Sequence, residues 1–250
     1  MASVFLSPST QEYNPYYDGQ GNEEYYMNLI ADYMEPYLTA SNIRFGRNDP
    51  SQRVNGAIAD SNAGNYDLHL ALHSNAAGAS NAGTQRGVDV YYYQGSSAGK
   101  RAADIIADNL KGIYPLPDRV RALPNSTFAE LRLTRAPAVL AELGYHDNAD
   151  DAEWIRANLQ SIARVLAMSV AEYLDVPFRA PNDVNGGLGK GRVTTGGGRL
   201  NIRDKPSLDS NVIAQAPHGA TLDLIAREGD WYLIDRNGVR GYVYAEYVTV

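Results

Sequence analysis

Four histidines and no cysteine set the limits on metal-binding and nucleophilic chemistry in this 250-residue chain. Without thiols there is no disulfide framework, no cysteine-ligated zinc finger, no iron–sulfur cluster and no thiol nucleophile. Nitrogen and oxygen ligands remain. His69 and His73 lie in DLHLALH (67–73), whose alternation sets Leu68, Leu70 and Leu72 on one face of a strand and His69, Ala71 and His73 on the other. At ~3.3 Å per residue the two histidines stand about 13 Å apart, too far to share one metal. His73 falls at the carboxyl end of that strand, where α/β sheets gather ligands. His69 reads as a structural histidine. Glu142 lies near the end of PAVLAEL (137–143), where a carboxylate is costly to bury without a cation or a metal. Glu23 and Glu24 open a helix, a position that the helix dipole favours in any case. Ser97 is the centre of GSSAG (95–99), a G-x-S-x-G pattern between strand and helix. That is the context of a nucleophile elbow, with Asp118 or Glu142 and then His146 downstream in the hydrolase order. A serine at a helix start is also an ordinary N-cap.

The elements that would position these groups alternate in type. VFL (4–6), DLHLALH, VDVYYYQ (88–94) and PAVLAEL read as strands. Helices are expected over 23–38, 99–113 and 150–174, each with apolar residues recurring on one face, such as Tyr26, Ile30, Tyr33 and Tyr37. Strands spaced by helices predict a three-layer α/β sheet with helices on both faces. After RAPNDVN, residues 186–198 carry seven glycines in GGLGKGRVTTGGG, so 179–192 reads as a flexible linker between domains at 1–178 and 193–250. Beyond it, short strands separated by turn residues every 8–12 positions predict a small all-β barrel.

Composition narrows the partners. The net charge is −7, with 13 basic and 21 acidic side chains in residues 1–178 and seven of each in 192–250, which disfavours nucleic acid. No apolar run exceeds four residues, so membrane insertion is not expected. The start, MASVFLSPSTQEYN, has no basic leader followed by an apolar stretch, and the expectation is release of a phage type or by non-classical export. Of the 24 aromatic residues 18 are Tyr, whose apolar ring and hydroxyl suit a groove for a polar, extended ligand.

Several stretches also carry a family pattern. E-x-x-x-N-L appears as Glu24 to Asn28-Leu29, and ALHSN, holding His73, stands for S-I-H-x-N. RGVDVYYYQGSSAGKRAADII matches a Gly-x-x-(Tyr/Phe) strand with its following helix, and LRLTRAPAVLAELGYHDN a final strand and turn around Glu142. In this order, over residues 3–175, they resemble the zinc-dependent N-acetylmuramoyl-L-alanine amidases of the amidase_3 type, with their phosphorylase/hydrolase-like fold. Those enzymes cleave the amide between the muramic acid lactyl group and L-alanine in peptidoglycan. The resemblance implies Zn²⁺ held by Glu24 and His73, with Glu142 as catalytic base, and gives GSSAG a structural role. The family's first strand usually ends D-P-G-H-G-G. Here it ends LSPSTQEYN, with Thr10 in place of the ligating histidine. Gln11, through its carbonyl oxygen, and His146 are the two substitutes, and loss of the metal is a third alternative. The last 58 residues resemble bacterial SH3 domains (SH3b), through LNIRDKPS, WYLID and GYVYAEYV. Such modules bind cell wall, with Trp231, Tyr242, Tyr244 and Tyr247 as the available aromatic surface. The expectation is a monomeric peptidoglycan hydrolase, autolysin or endolysin; a Ser97 hydrolase and an inactive wall-binding protein stand as alternatives.

Overall fold

The computed structural model describes residues 1–181, 188–236 and 239–250, and these form two compact units, Met1–Phe178 and Arg179–Val250. In the first, strands β1 (Ser3–Pro8), β2 (Arg44–Arg47), β3 (Leu68–Asn75), β4 (Val88–Tyr93), β5 (Val120–Asn125) and β6 (Ala138–Tyr145) form one sheet in the order β2-β1-β3-β6-β4-β5. β2, β1, β3 and β6 run parallel, whereas β4 runs against β6 and carries β5 parallel to itself. The carboxyl ends of β1, β3 and β6 therefore share one edge of the sheet, and the end of β4 lies at the other.

Period-two patterning sorts the sheet's two faces. Val4, Leu6, Leu68, Leu70, Leu72, Val139 and Ala141 point into the main core, under helices α1 (Glu23–Ala40), α3 (Ser97–Lys111) and α5 (Ala149–Tyr173). Ala71, Ala138 and Leu140 point the other way, against Leu131 of α4 (Ala129–Leu133) and the half-buried Phe128 and Tyr91. Helix α2 (Val54–Gly64) packs on this side beside α4. The thinner second layer leaves the sheet's ligand edge open, and this is the face that carries His69, His73 and Glu142.

Two of the helices and two of the strands were not legible in the sequence. β2 is a four-residue edge strand, RFGR, and β5 ends in Pro124-Asn125. α2 buries only Ala57, Ile58 and Ser61 and has no side-chain N-cap, and α4 is too short to show a helical period.

The second unit is an antiparallel sheet of β7 (Gly189–Val193), β8 (Arg199–Arg203), β9 (Val212–Pro217), β10 (Thr221–Glu228), β11 (Trp231–Arg236), β12 (Val239–Tyr244) and β13 (Val248–Thr249), in the order β13-β7-β10-β11-β12-β8-β9. Its own core contains Val193, Leu200, Ile202, Leu222, Leu224, Tyr232, Ile234 and Val243. Residues 189–192, read from the sequence as linker, are paired here with β10 and β13. A glycine at 191 serves close packing rather than flexibility, since a Cβ there would lie 2.4 Å from Val248 and 3.0 Å from Leu224. Residues 182–187 of the expected linker lie outside the described residues.

Candidate active site

A cavity of about 1020 Å³ opens at the carboxyl ends of β1, β3 and β6, and Gln11, Glu24, His73, Glu130 and Glu142 line it. His73 and Glu142 are direct cross-strand neighbours on β3 and β6. They therefore project from the same face, about 4.8 Å apart at their backbones. A short loop after β1 brings Gln11 over the same edge, where its N–H donates to Ser9 Oγ.

Helix α1 contributes Glu23. Asn22 caps the helix by accepting from the Tyr25 N–H at 2.8 Å, which makes Glu23 the first helical residue. The Glu23 N–H donates to the Asn14 carbonyl, and Asn14 Nδ2 donates to Glu23 Oε2 at 2.7 Å. Held at both ends, the buried carboxylate sets Oε1 2.8 Å from His73 Nδ1. Glu24, which the E-x-x-x-N-L pattern pointed to, lines the cavity but is not the residue joined to His73. The cap fixes the helical phase, and that phase turns Glu23 toward β3.

Glu130, which sequence reasoning did not single out, reaches the opposite side of the His73 ring. Its Oε2 lies 3.4 Å from His73 Nε2, while Oε1 accepts from Ser7 Oγ at 2.5 Å and His69 Nε2 at 3.1 Å. His69, fully buried, is in turn 3.0 Å from Ser61 Oγ through Nδ1, so its structural role stands. The two histidines do not meet; one carboxylate spans the gap between them. No signal in the sequence marked Glu130, because α4 shows no period and its partners are more than 50 residues away in the chain.

The electrostatics follow from burial and these partners. Desolvation disfavours a charged His73 ring, but hydrogen bonds to Glu130 and Glu23, together with the nearby Glu142 charge, outweigh it and hold its pKa well above the ordinary value. Glu23 and Glu130 are both lowered: burial opposes ionisation, and the histidine donors overcome it. Glu142 behaves in the opposite way. Burial pushes its carboxyl up to about 7, His73 pulls it down only in part, and Glu23 and Asp89 add to the rise. Its Oε2 is buried without a hydrogen-bond partner. A carboxyl so placed exchanges a proton near neutral pH, as a general base must.

Gln11 completes a triangle. Its amide nitrogen lies 3.3 Å from Glu23 Oε1 and 3.4 Å from His73 Nδ1, closing on the 2.8 Å edge between those two. Ligand atoms about 2.0 Å from a tetrahedral zinc stand about 3.3 Å from one another, close to two of these three edges. Turning the Gln11 amide over would present its oxygen. The Tyr13 hydroxyl, 3.2 Å from Gln11 Oε1, can donate or accept and satisfies either orientation. Among the described residues no group of three His, Cys, Asp or Glu is placed to hold a metal.

His146 takes no part. It is buried, its Nδ1 donates to the Ser74 carbonyl at 2.8 Å, and its ring stacks on Tyr16 at 5.7 Å. It fastens the turn after β6 and does not line the cavity. Ser97 is also absent from the cavity lining. Because β4 is antiparallel, Ser97 opens α3 at the opposite edge of the sheet from Glu142 and His146. Ser96 supplies the cap there, accepting from the Gly99 N–H at 3.0 Å, so the nucleophile-elbow expectation fails on topology.

Residues 11–172 match the Amidase_3 family, N-acetylmuramoyl-L-alanine amidase. The chain belongs to that family. A second match, over residues 198–249, is to the bacterial SH3 domain. The N-acetylmuramoyl-L-alanine amidase CwlM of Bacillus licheniformis is 34% identical over 133 residues, covering 52% of this chain and 48% of that protein. The probable cell wall amidase LytH of Staphylococcus aureus is 31% identical over 114 residues, covering 46% and 36%. The chain thus spans about half the length, or less, of these relatives. In fold it resembles the catalytic domain of CwlV, the N-acetylmuramoyl-L-alanine amidase of Bacillus (Paenibacillus) polymyxa, with a TM-score of 0.61 and 20% identity, over 71% of this chain and all of that one. The catalytic domain of the CD27L endolysin, which targets Clostridia difficile, gives 0.56 at 20% identity, over 69% and 98%. At that identity the likeness establishes the fold of this family's catalytic domain.

The second unit carries an aromatic groove of its own. Trp231 on β11 pairs edge-on with Tyr244 on β12 at 5.3 Å, and Tyr247 adds a ring 6.2 Å from Tyr244. These three line a cavity of about 330 Å³ together with Arg199 and Leu208. Tyr242 lies on the same face of β12 as Tyr244 but is not part of that lining, whereas Tyr232 belongs to the core.

Proposed function

We propose that this chain is a zinc-dependent peptidoglycan hydrolase that cleaves the amide between N-acetylmuramic acid and L-alanine, directed to the cell wall by its SH3 unit. The observation that carries this reading is the triangle of His73, Glu23 and Gln11 beside the unpartnered Glu142 carboxylate. It supplies two strong ligands, one amide ligand and a base, with Gln11, His73 and Glu142 lining one cavity and Glu23 buried against His73.

Zinc bound there would supply a Lewis acid for the lactyl carbonyl and make its water acidic near neutral pH. The protein's share is positional. His73 offers Nδ1 toward Glu23 and Gln11, with its other nitrogen held by Glu130. Glu142 takes a proton from the attacking water as the new C–O bond forms. It then delivers that proton to the amide nitrogen as the C–N bond breaks, and the second water proton passes from the new lactyl carboxyl to the amine, leaving a lactyl carboxylate and an L-alanine ammonium. Burial, which lifts Glu142 toward neutrality, suits it to both transfers. The aromatic groove of the SH3 unit offers rings for wall peptide. Joined through the glycine-rich stretch, it would raise the effective concentration of the catalytic unit near bound wall.

The test pairs metal analysis of the purified chain with amine release from peptidoglycan, with and without chelator. We expect one zinc per chain and chelator-sensitive release of L-alanine amino termini. Zinc-free protein with full activity would overturn the assignment, and wall binding without amine release would make the chain an inactive binder.

A further inference from the structure

On the β2 side the catalytic cavity is walled by Asn48 and residues 50–54, which lead into α2 and have no task in the chemistry above. Arg53 stands out among them. It is the one arginine or lysine lining the cavity, whose wall also holds Glu12, Glu24, Glu130 and Glu142. It is exposed, and its guanidinium makes no ion pair or hydrogen bond among the described residues. We propose that Arg53 and the start of α2 form a carboxylate-binding subsite of this cavity, which takes the free carboxylate of the stem-peptide residue that follows L-alanine. This rests on the amidase reading of the site.

Charge is the first reason. Arg121 lies in register with Asp89, and Asp89 with Glu142, but Asp89 already holds that guanidinium through two hydrogen bonds at 2.9 and 3.0 Å, and Arg121 does not line the cavity. Asp49, close to Arg53 in sequence, is turned instead to Ser51, accepting from its N–H at 2.9 Å and its hydroxyl at 2.7 Å. Arg53 is thus left to meet an anion in a cavity whose other charged walls repel one.

The helix start adds donors. Arg53 is the N-cap of α2, its side chain makes no capping bond, and the first turn holds no acidic residue. The Val54 and Asn55 N–H groups therefore keep no acceptor among the described residues, at the end where the helix dipole favours an anion. An independent observation comes from Asn48, which is only 5% exposed and lines the same wall. Its Nδ2 donates to the Pro8 carbonyl at 3.1 Å, which fixes the amide and leaves Oδ1 buried without a partner. A buried acceptor left unpaired is costly, and an N–H of a bound peptide satisfies it.

Substrate chemistry supplies the anion. In a muramyl peptide the lactyl carboxyl is consumed in the amide, so the free carboxylates lie on the peptide side. The residue after L-alanine is a glutamate joined through its γ-carboxyl, and its α-carboxylate stands about 7 Å from the cleaved bond, two residues on at ~3.5 Å each. β2 is two strands from β3, about 10 Å at the usual spacing, and the long side chain of Arg53 spans the difference. The stem peptide then runs from His73 across β1 toward α2.

Two muramyl tripeptides test this, both L-Ala-γ-D-Glu-L-Lys with an amidated C-terminus, one with the glutamate α-carboxylate free and the other with it amidated. With the full-length zinc-loaded protein we expect KM to be about 10-fold lower for the free acid at similar kcat. Arg53→Ala should erase this preference by raising KM for the acid alone, Arg53→Lys should restore part of it, and Arg53→Glu should reverse it. A wild type indifferent to amidation overturns the proposal, as does an Arg53→Ala variant that keeps the preference. Calorimetry with the two tripeptides lacking the muramyl group reads the same difference as Kd, with no cleavage required. Preferential binding of the acid through Arg53 without amine release from either substrate defeats the amidase reading and leaves the subsite standing. Equal cleavage of both substrates defeats the subsite and leaves the amidase reading, and a wild type that neither binds nor cleaves either peptide overturns both.

Discussion

At the scale of single residues the site is a contest between burial and partners, and Glu142 is the residue on which burial wins. Its folded-state pKa of about 7 stands above the ordinary 4.5. The folded chain therefore gains from this group below pH 4.5 and loses that gain as the pH rises through about 7. Each pH unit of separation is worth about 1.4 kcal/mol. Metal-free Glu142→Gln should then be more stable than the wild type at pH 8, by up to about 3 kcal/mol, and the gap should close by pH 4. Denaturant melts at the two pH values check this. The same variant should retain zinc and release no amine; appreciable turnover would remove Glu142 from its role as base. Glu23 and Glu24 provide a second discrimination. Glu23→Ala should lose stoichiometric zinc while Glu24→Ala keeps it, measured by metal analysis after dialysis. His73 and Glu142 stood out in the sequence, because strand ends and an acid in an apolar run are local signals, whereas Gln11 entered only through the resemblance, as one of two substitutes for a missing histidine. Between the adjacent glutamates the family pattern pointed to Glu24, whereas Glu23 is the one joined to His73, a difference that rests on one N-cap and on Asn14. The sequence could not show Glu130, whose partners at positions 7, 69 and 73 meet it only in three dimensions.

At the scale of elements, direction matters more than pattern. The periodicities of β3, β6, α1, α3 and α5 were plain, and so was the alternation of strand and helix. Strand polarity was not, and it decides the fate of GSSAG. Read as a motif, Ser97 sits between strand and helix as a nucleophile would. Placed in the sheet, it starts a helix at the edge that faces away from the cavity, because β4 runs against β6. Ser96→Ala should therefore cost about 1 kcal/mol through the lost cap. Ser97→Ala should change stability by less than about 0.5 kcal/mol and leave amine release intact. Loss of hydrolysis in Ser97→Ala would restore the serine mechanism. The short elements escaped the sequence for a related reason: β2, β5, α2 and α4 are too brief, too polar or too glycine-rich to carry a period, and neighbouring elements hold them in place.

At the scale of the whole molecule, two cores divide the work. The larger contains the catalytic cavity, and the smaller has the Trp231–Tyr244–Tyr247 groove. The acidic excess belongs to the first, with the second close to neutral, so attraction of a charged wall polymer to the second unit would rest on its aromatic rings more than on net charge. A chain ending at residue 178 should lose most of its sedimentation with purified cell walls. It should retain most of its activity on soluble muramyl peptides, because the effective-concentration advantage applies only to a tethered substrate. Equal losses in the two assays would show that the SH3 unit contributes to catalysis itself. Glycine content put a linker at 179–192, yet residues 189–192 of it pair as β7, because close approach and flexibility both call for glycine.

The pairing of His73 with Glu142 across β3 and β6 also has a consequence in time. β6 is among the last elements of the first unit to be synthesised, yet it takes a central place, between β3 and β4. Until it slots in, the histidine has no base beside it and the α4 carboxylate has no finished sheet to rest on. A chain cut short anywhere before residue 142 therefore lacks both the proposed base and the strand that joins β3 to β4.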